Sequence, residues 1–407
     1  MIARLIQGSC GTMHQQQNDR MGFMEKTLPG ADVLCSGHQV DLLPWLRARR
    51  VGLVTNHTGR LIDGTPLLQA LRVLGIPVVA LFSPEHGPQG TQEGDIESGS
   101  TGEGLPIHSL YGATRRPTEA MLQGIEALMF DIQDVGARFY TYSTTLAYCM
   151  EECAARNIPL LVLDRPNPLG GEKVEGPLLE GDCRSFIGHV RLPVVHGLTL
   201  GEIAQWHRAQ LALDLDLHIV PVGGWKRSMT WATTDLEWIA PSPNLPDYAS
   251  AAWYPATCLL EFSGVSVGRG TQAPFQIVGA PWLDAQRVLD ATCSWPNDVR
   301  KSVSLETMDF TPTRAIFESE PCHGIRLRSA NVEQVPLTTL GLALLEAIYR
   351  THSDELNDQK LNAALPLIGS RRVLDALRTG NLQEAMEVSQ TGAQQFREER
   401  AAYLLYG

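Results

Sequence analysis

Residues 78–87 read Val-Val-Ala-Leu-Phe-Ser-Pro-Glu-His-Gly, an apolar run that ends in a charged, turn-forming segment. Five apolar residues, Val78 to Phe82, followed by a proline and a glycine are typical of a buried strand in a parallel sheet. The strand is predicted to end just before Glu85 and His86. In open α/β sheets, ligands bind in crevices outside the carboxyl ends of the strands, so these two side chains are predicted to reach such a crevice.

Three further apolar runs end in the same manner. They are Val51-Gly52-Leu53-Val54 before Thr55-Asn56-His57, Ala127-Leu128-Met129-Phe130 before Asp131-Ile132-Gln133-Asp134, and Leu160-Leu161-Val162-Leu163 before Asp164-Arg165-Pro166-Asn167. Helix-like segments at residues 66–74 and 141–156 alternate with these strands. This alternation, which runs from Leu42 to about Val222, predicts βαβ units and therefore an α/β fold with a mostly parallel sheet.

Length and charge restrict the class of protein. A chain of 407 residues is longer than one hydrophobic core usually supports, so two domains are expected. A formal net charge of -12 and the lack of a Lys/Arg-rich run argue against a nucleic-acid partner. No apolar segment approaches the roughly 20 residues that a membrane span requires.

The ends of the predicted domains follow from local composition. Residues 1–33 are predicted to form a mobile extension, and the absence of a signal-peptide apolar region in residues 1–29 predicts a cytoplasmic location. The proline-rich segment Pro241-Ser242-Pro243-Asn244-Leu245-Pro246 indicates the edge of the first domain. Eight cysteines at irregular positions, with no Cys-x-x-Cys pair, indicate neither a zinc site nor a disulfide framework.

Glu85 is the strongest candidate for chemistry. A carboxylate between Pro84 and Gly87 at a strand end has few packing reasons to be there, which favours catalysis or ligand binding. The alternative is a structural carboxylate that accepts hydrogen bonds from loop amides. His86 is a weaker candidate, because neighbouring side chains point in different directions unless the turn is sharp.

The run from Asp131 to Tyr142 is dense in polar and aromatic groups. Its candidate residues are Asp131, Gln133, Asp134, Arg138, Tyr140 and Tyr142. Carboxylates and amides can bind hydroxyls while rings stack on apolar sugar faces, so the run suits a hydroxyl-rich ligand. The alternative is that Asp134 and Arg138 pair to hold a loop, and the same alternative applies to Asp164 and Arg165.

Other classes of site find little support. His57, His86 and His196 could converge with acids on a metal, but no two histidines have a His-x-x-x-His spacing, so no metal or other cofactor is predicted. No Gly-x-Gly-x-x-Gly follows the first strand, and neither a P-loop nor a Gly-x-Ser-x-Gly elbow occurs.

Taken together, the motifs resemble those of the NamZ-type exo-β-N-acetylmuramidase family, formerly a domain-of-unknown-function family. The matching segments are Ser83 to Gly87, Gly104-Leu105-Pro106, Ser109 to Gly112, Asp131 to Tyr142, Leu163 to Pro168, His196 to Thr199, Pro241 to Pro246, Gly268 to Thr271 and Phe396 to Tyr406. The resemblance covers roughly residues 35–407, and so many ordered motifs make a chance match implausible.

The resemblance implies a Rossmann-like catalytic domain over residues 34–250 and a smaller C-terminal α/β domain over residues 251–407. It also implies removal of N-acetylmuramic acid, or a related 2-acetamido sugar, from the non-reducing end of peptidoglycan fragments. Glu85 lies in the motif of the family's proposed catalytic carboxylate. The expected substrate-binding residues are Asn56, His86, Gln133, Arg138, Tyr140, Tyr142, Asp164, Arg165, Asn167, His196, Asn244, Glu261 and Arg269.

The expected mechanism is glycoside hydrolysis with Glu85 as general acid. Asp131 or Asp134 could act as base, or could orient the substrate's own acetamide as nucleophile. Arg138, Arg165 and Arg269 are alternative partners for the lactyl carboxylate of muramic acid.

The chain departs from the family pattern at two positions. Val267 replaces an acid and Gly264 replaces an amide in the segment Glu261-Phe262-Ser263-Gly264-Val265-Ser266-Val267-Gly268-Arg269-Gly270-Thr271. These replacements motivate an alternative hypothesis, a muropeptide-binding protein that has lost turnover.

Overall fold

The computed structural model describes residues 26–37, 39 and 41–407. Its larger sheet has seven strands in the order β3-β4-β2-β1-β5-β6-β7. The strands are β1 Val51–Thr55, β2 Val78–Ser83, β3 Gly99–Ser100, β4 Pro106–Ser109, β5 Ala127–Asp131, β6 Leu160–Leu163 and β7 Leu217–Val220. A second sheet of three strands, in the order β8-β10-β9, contains β8 Ile277–Ala280, β9 Ser304–Phe310 and β10 Cys322–Arg328.

Helices connect and cover the strands. They span Gly30–Cys35, Leu42–Arg47, Leu67–Val73, Glu119–Leu122, Tyr142–Ala154, Leu200–Gln210, Tyr248–Thr257, Ala285–Ala291, Asn297–Ser302, Leu337–Thr351, Asp358–Ala363, Leu365–Ile368, Arg371–Arg378 and Leu382–Arg400. Among the described residues, no helix is long and apolar enough to cross a membrane.

The large sheet has the predicted character. β1 pairs in parallel with both β2 and β5, and the pairs β5–β6, β6–β7 and β2–β4 are also parallel. The short β3 pairs with β4 antiparallel and forms the edge. All residues of β5 and β6 are buried, as expected for apolar strands covered on both faces. The α/β fold with a mostly parallel sheet and a second, smaller sheet region is therefore confirmed.

The N-terminal segment contradicts part of the predicted extension. Residues 1–25 lie outside the described residues. Leu28, however, exchanges two backbone hydrogen bonds with Gly223, and the helix Gly30–Cys35 packs against β6 and β7. Residues 28–33 thus form part of the fold, because Leu28, Ala31 and their neighbours supply apolar side chains to the core.

The predicted boundary at residues 250/251 falls inside the helix Tyr248–Thr257. That helix packs against Leu337–Thr351, so it associates with the C-terminal region. One buried apolar cluster extends from Phe130 in the large sheet through Tyr254 to Leu344. The two regions share a continuous core, and the division into domains at residue 250 stays a prediction.

Candidate active site

A cleft of about 310 Å³ opens between the carboxyl ends of the large sheet and the C-terminal region. One wall comes from loops that follow β2, β4 and β5, including Glu85, Tyr111 and Thr141. The facing wall comes from the segment between residues 254 and 275, including Glu261 and Arg269. The volume lies near the lower end of the range for small-molecule sites and suits a ligand of about one sugar ring.

Glu85 lies in the loop directly after β2, as the sequence predicts, and its side chain lines the cleft half-buried. Thr141 donates a hydrogen bond from its hydroxyl to Oε2 of Glu85 at 2.6 Å. Burial, followed by the negative charge of the adjacent Glu85, raises the pKa of Tyr111 to about 12. Thr141 therefore fixes the orientation of the Glu85 carboxyl group, with Tyr111 beside it.

The turn after Glu85 explains why His86 also reaches the cleft. His86 has a φ of 70°, a left-handed conformation that is uncommon for residues other than glycine. Its Nδ1 lies 3.0 Å from the carbonyl oxygen of Gln92, which holds the loop closed. The sharp turn allows both neighbours to line the same cleft.

A second cleft carboxylate, Glu261, is paired with Arg269. Nη2 of Arg269 lies 2.5 Å from Oε1 of Glu261, and the Arg269 side chain is 32% exposed. Burial raises the pKa of Glu261, the guanidinium of Arg269 opposes this, and the charge of Glu85 adds to it. This effect of Glu85 on Glu261 is consistent with two carboxylates that line one cleft.

Four nearly buried aromatic rings pack against one another next to the cleft. Tyr254 packs edge-on against Phe275 with ring centroids 4.7 Å apart, and against Phe139 and Tyr140 at 5.2 and 5.9 Å. All four residues line the cleft. Their edge-to-face packing gives this part of the cleft wall a rigid apolar support.

The loop at residues 241–246 is held in place by predicted site residues that do not themselves line the cleft. Asn56 donates from Nδ2 to the Tyr142 hydroxyl at 3.0 Å, and Tyr142 donates to the carbonyl of Pro241 at 2.9 Å. Asn244, farther along this loop, lines the cleft and donates to Glu93 at 3.1 Å. Asn56 and Tyr142 thus position the wall that carries Asn244.

Asp131, a predicted catalytic residue, does not line the cleft. Its side chain is fully buried, and Arg165 donates to its two oxygens from Nε at 2.6 Å and from Nη2 at 3.0 Å. Nη2 of Arg165 also donates to the carbonyl of Arg60. The pair joins the end of β5 to the loop that follows β6, and neither residue lines the cleft; Arg165 lines a separate cavity of about 380 Å³.

Asp134 also lies beneath the cleft. One of its oxygens accepts a hydrogen bond from the backbone N–H of Gly136 at 2.8 Å. Burial raises the pKa of Asp134 to about 7, against the lowering effect of that hydrogen bond. His196 approaches the same oxygen through Nε2 at 3.9 Å, and burial, with nearby arginines, lowers its pKa to about 3.

Asp164 and Asn167 form hydrogen bonds within the protein and do not line the cleft. Asp164 is fully buried and accepts hydrogen bonds from Thr199 at 2.6 Å, from the N–H of Gly201 at 2.8 Å and from Tyr406. Burial raises its pKa to about 6. Asn167 accepts from the N–H of Leu169 and donates to the carbonyl of Leu198, both at 2.9 Å. These two side chains join the β6 loop to later parts of the chain.

Gln133 and Arg138 are likewise used within the protein. Gln133 donates to the carbonyls of Asp134 and Pro166, at 2.8 and 2.9 Å. Arg138 is 1% exposed and donates to four backbone carbonyls, those of Pro177, Leu192, Leu367 and Ile368. Neither side chain lines the cleft, and Arg138 does not pair with Asp134, which was the structural alternative.

The predicted set therefore divides. The cleft gathers Glu85, His86, Tyr140, Asn244, Glu261 and Arg269. Sequence reasoning did not select Glu93, Tyr111, Phe139, Thr141, Tyr254, Cys258 and Phe275, which also line it. Tyr111 and Thr141 lie within motifs that the chain shares with the family. Both motifs follow strands of the sheet that contains β2, and this position was the sequence feature that could have identified them.

Neither family departure lines the cleft. Gly264 has a φ of 80°, and an exchange between asparagine and glycine is tolerated in that left-handed conformation. Val267 is 2% exposed and belongs to the main apolar core, where its carbonyl accepts a hydrogen bond from Phe275. Each residue thus suits its local environment in this chain.

A group of potential metal ligands lies outside the cleft. Oε1 of Glu151 is 2.7 Å from Nε2 of His189 and 3.0 Å from Nε2 of His207. Arg116 binds the other oxygen of Glu151 at 2.7 Å. The carboxylate is thus satisfied by hydrogen bonds, and the adjacent guanidinium charge opposes a bound cation.

Comparisons with known proteins identify the family of the chain. Residues 51–249 match the family model described as exo-β-N-acetylmuramidase NamZ, N-terminal, and residues 252–406 match the corresponding C-terminal model. The chain is 35% identical over 389 residues to the peptidoglycan β-N-acetylmuramidase NamZ of Bacillus subtilis (strain 168), covering 94% of this chain and 92% of that protein.

Two crystal structures of DUF1343 family proteins from Bacteroides fragilis NCTC 9343 are also similar. They give TM-scores of 0.84 and 0.75, each at 30% identity, and cover 94% of this chain and 99% of the other. The matched models and the curated relative each extend over most of the chain. The chain therefore belongs to the NamZ family of exo-β-N-acetylmuramidases.

Proposed function

We propose that this exo-acting glycosidase removes N-acetylmuramic acid, or a related 2-acetamido sugar, from the non-reducing end of peptidoglycan fragments. The observation that carries the proposal is a sugar-sized cleft with Glu85 on one wall and the Glu261–Arg269 pair on the other. The Bacillus subtilis relative is named for the same activity.

Glu85 acts as the general acid. Departure of the aglycone requires a proton on the glycosidic oxygen while positive charge develops on the sugar ring. Water, or first the substrate's own acetamide oxygen and then water, forms the new bond at the anomeric carbon. Thr141 donates to Oε2 of Glu85 and so orients the carboxyl group that is to donate the proton. Asp131 and Asp134 are not assigned a catalytic role, because both are buried outside the cleft lining.

Arg269 binds the lactyl carboxylate. Of the three arginines considered, Arg269 lines the cleft, whereas Arg138 and Arg165 are buried and donate to groups of the protein. Glu261 holds the Arg269 guanidinium at 2.5 Å and thereby orients it toward the ligand. A guanidinium–carboxylate contact would favour muramic acid over glucosamine, which lacks the lactyl group.

Rates on matched nitrophenyl N-acetylmuramide and N-acetylglucosaminide test this proposal. Wild type should prefer the muramide, and Arg269→Gln should reduce that preference by roughly tenfold to a hundredfold, the usual worth of a charge-assisted contact. Arg269→Lys is the matched comparison, because it keeps the positive charge but not the planar fork, and it should retain more of the preference than Arg269→Gln does. Equal rates of wild type on both sugars would remove the lactyl assignment.

The alternative of a binding protein without turnover rested on Val267 and Gly264. Neither residue lines the cleft. Saturable binding of the muramide without release of nitrophenol would nevertheless favour that alternative over hydrolysis. The cytoplasmic location stays a prediction, tested by fractionation of the native cells.

A further inference from the structure

A cluster of two rings and a guanidinium adjoins the cleft on the Glu85 wall. Cζ of Arg115 lies 4.5 Å from the ring centroid of Phe186 and 5.1 Å from that of Tyr111. The two rings are themselves 5.6 Å apart. Within the described chain, the Arg115 side chain is exposed and contacts these rings and no carboxylate. We call these three residues the Arg115 cluster.

The Arg115 cluster is continuous with the cleft at two points. Tyr111 lines the cleft, and its phenol lies beside the Glu85 carboxylate. Burial is the main cause of the raised pKa of Tyr111, and the charge of Glu85 adds to it. Ile187, the residue after Phe186, also lines the cleft. The cluster therefore extends from the cleft lining beside the acid to the exposed side chain of Arg115.

The position of the Arg115 cluster can be related to the proposed reaction, and the following inference rests on that proposed function. The sugar that is removed occupies the cavity, and its lactyl group meets Arg269. The proton of Glu85 goes to the glycosidic oxygen, so the leaving group must lie beyond that oxygen on the Glu85 side. A cavity of about 310 Å³ has room for about one sugar, which places the leaving group outside it.

We propose that the Arg115 cluster is the leaving-group subsite and that it selects aglycones bearing a carboxylate. Tyr111 and Phe186 offer ring faces to the first sugar of the leaving group. Arg115, already oriented by the two rings, pairs with a carboxylate farther along the fragment, such as a lactyl or peptide carboxylate. In a chain with a net charge of -12, such a cation gives the mouth of the cleft a local preference for anionic fragments.

The test uses three substrates that share a non-reducing N-acetylmuramic acid. Their leaving groups are nitrophenol, uncharged N-acetylglucosamine, and a trisaccharide that contains a second, carboxylate-bearing muramic acid. Arg115→Ala should lower kcat/KM for the trisaccharide leaving group relative to the other two by roughly twofold to fivefold, the usual worth of an ion pair between exposed charges. Arg115→Lys, which keeps the charge but not the planar fork, should lose less.

Arg49→Ala is the matched control. Arg49 also stacks on an aromatic ring, with Cζ 4.1 Å from the ring centroid of Trp45, but it precedes β1 at the amino edge of the sheet. Its replacement should leave the ratio between substrates unchanged. An unchanged ratio in Arg115→Ala, or the same fall in Arg49→Ala, would overturn the subsite.

The assay separates the two proposals. Failure of wild type to release nitrophenol from the muramide would refute the proposed hydrolysis itself. Normal wild-type turnover with no leaving-group dependence in Arg115→Ala would refute only the subsite. An equal loss on the charged and the uncharged saccharide would refute the selection for a carboxylate.

Discussion

The buried rim of the large sheet and the cleft above it contain the same kinds of charged residue in different environments. On the rim, Asp131 and Arg165 form a pair whose side chains are 0% and 6% exposed. In the cleft, Glu261 pairs with Arg269, whose side chain is 32% exposed, and Glu85 accepts a hydrogen bond from Thr141. The difference shows that a polar residue at a strand end can hold the rim together without contacting a ligand.

Replacing an acid by its amide, in the rim and in the cleft, tests the difference between the two regions. The exchange keeps the shape and one acceptor oxygen but removes the charge and the acidic proton. Its effect should fall on turnover in the cleft and on folding in the rim.

Glu85→Gln should have the largest effect on turnover. General acid catalysis contributes about 10²–10⁴ in rate, so kcat on an unactivated saccharide should fall by at least roughly a hundredfold. The melting temperature should change little, because Gln can still accept the hydrogen bond that Thr141 donates. Steady-state kinetics on muramic acid fragments, with thermal melting in parallel, provide the measurement.

A nitrophenyl muramide sharpens the same experiment. Its leaving group needs little protonation, so Glu85→Gln should lose less activity on it than on a saccharide. A loss of the same size on both substrates would assign Glu85 a role other than proton donation. Unfolding of the variant would instead indicate a structural carboxylate.

Asp131→Asn should affect stability first. It leaves the Arg165 guanidinium buried without its charged partner, and breaking such a pair usually costs about 3–5 kcal/mol in the free energy of unfolding. Denaturant unfolding of the two proteins measures this cost. Turnover per folded molecule should fall far less than in Glu85→Gln.

The double variant Asp131→Asn, Arg165→Met tests the cause. Removing the stranded guanidinium should recover part of the lost stability, since the two side chains are directly coupled. A strong loss of turnover in folded Asp131→Asn would indicate that Asp131 takes part in catalysis, as the sequence predicts.

Most of the fold was predictable because the strands carry their own signal. The four apolar runs became β1, β2, β5 and β6, and the segment 141–156 contains the helix Tyr142–Ala154. The predicted extension ended too late, because the short segment around Leu28 has no periodicity of its own and is held by backbone pairing with Gly223.

The site was less predictable because access to the cleft depends on tertiary packing. The sequence places Asp131, Asp134 and Glu85 at strand ends but does not specify which of them is covered by other side chains. Glu261 and Arg269 entered through the family resemblance, and they meet Glu85 only because the C-terminal region packs over the rim. Thr141, the hydrogen-bond donor to Glu85, lies between Tyr140 and Tyr142, and only these two tyrosines were predicted as site residues.

Asp134→Asn should have the smallest effect and the opposite sign to Asp131→Asn at neutral pH. Burial raises the pKa of Asp134 from an ordinary value of 3.8 to about 7. The folded state therefore holds a proton that the unfolded state has released, and the resulting stability is complete below about pH 4 and is lost as the pH rises through 7. Asn resembles the protonated acid and keeps an oxygen for the N–H of Gly136, so the variant should lack this loss.

The measurement is the difference in free energy of unfolding between wild type and Asp134→Asn from pH 4 to pH 8. The difference is needed because Asp164, with a raised pKa, contributes a slope of the same sign, and His196, with a lowered pKa, contributes one of the opposite sign. Each unit of raised pKa corresponds to about 1.4 kcal/mol, so even half of the shift would favour the variant by about 2 kcal/mol above pH 7. A difference that stays constant over this range would mean that Asp134 is ionised in the folded protein, and the contrast between a closed rim and an open cleft would then fail at this residue.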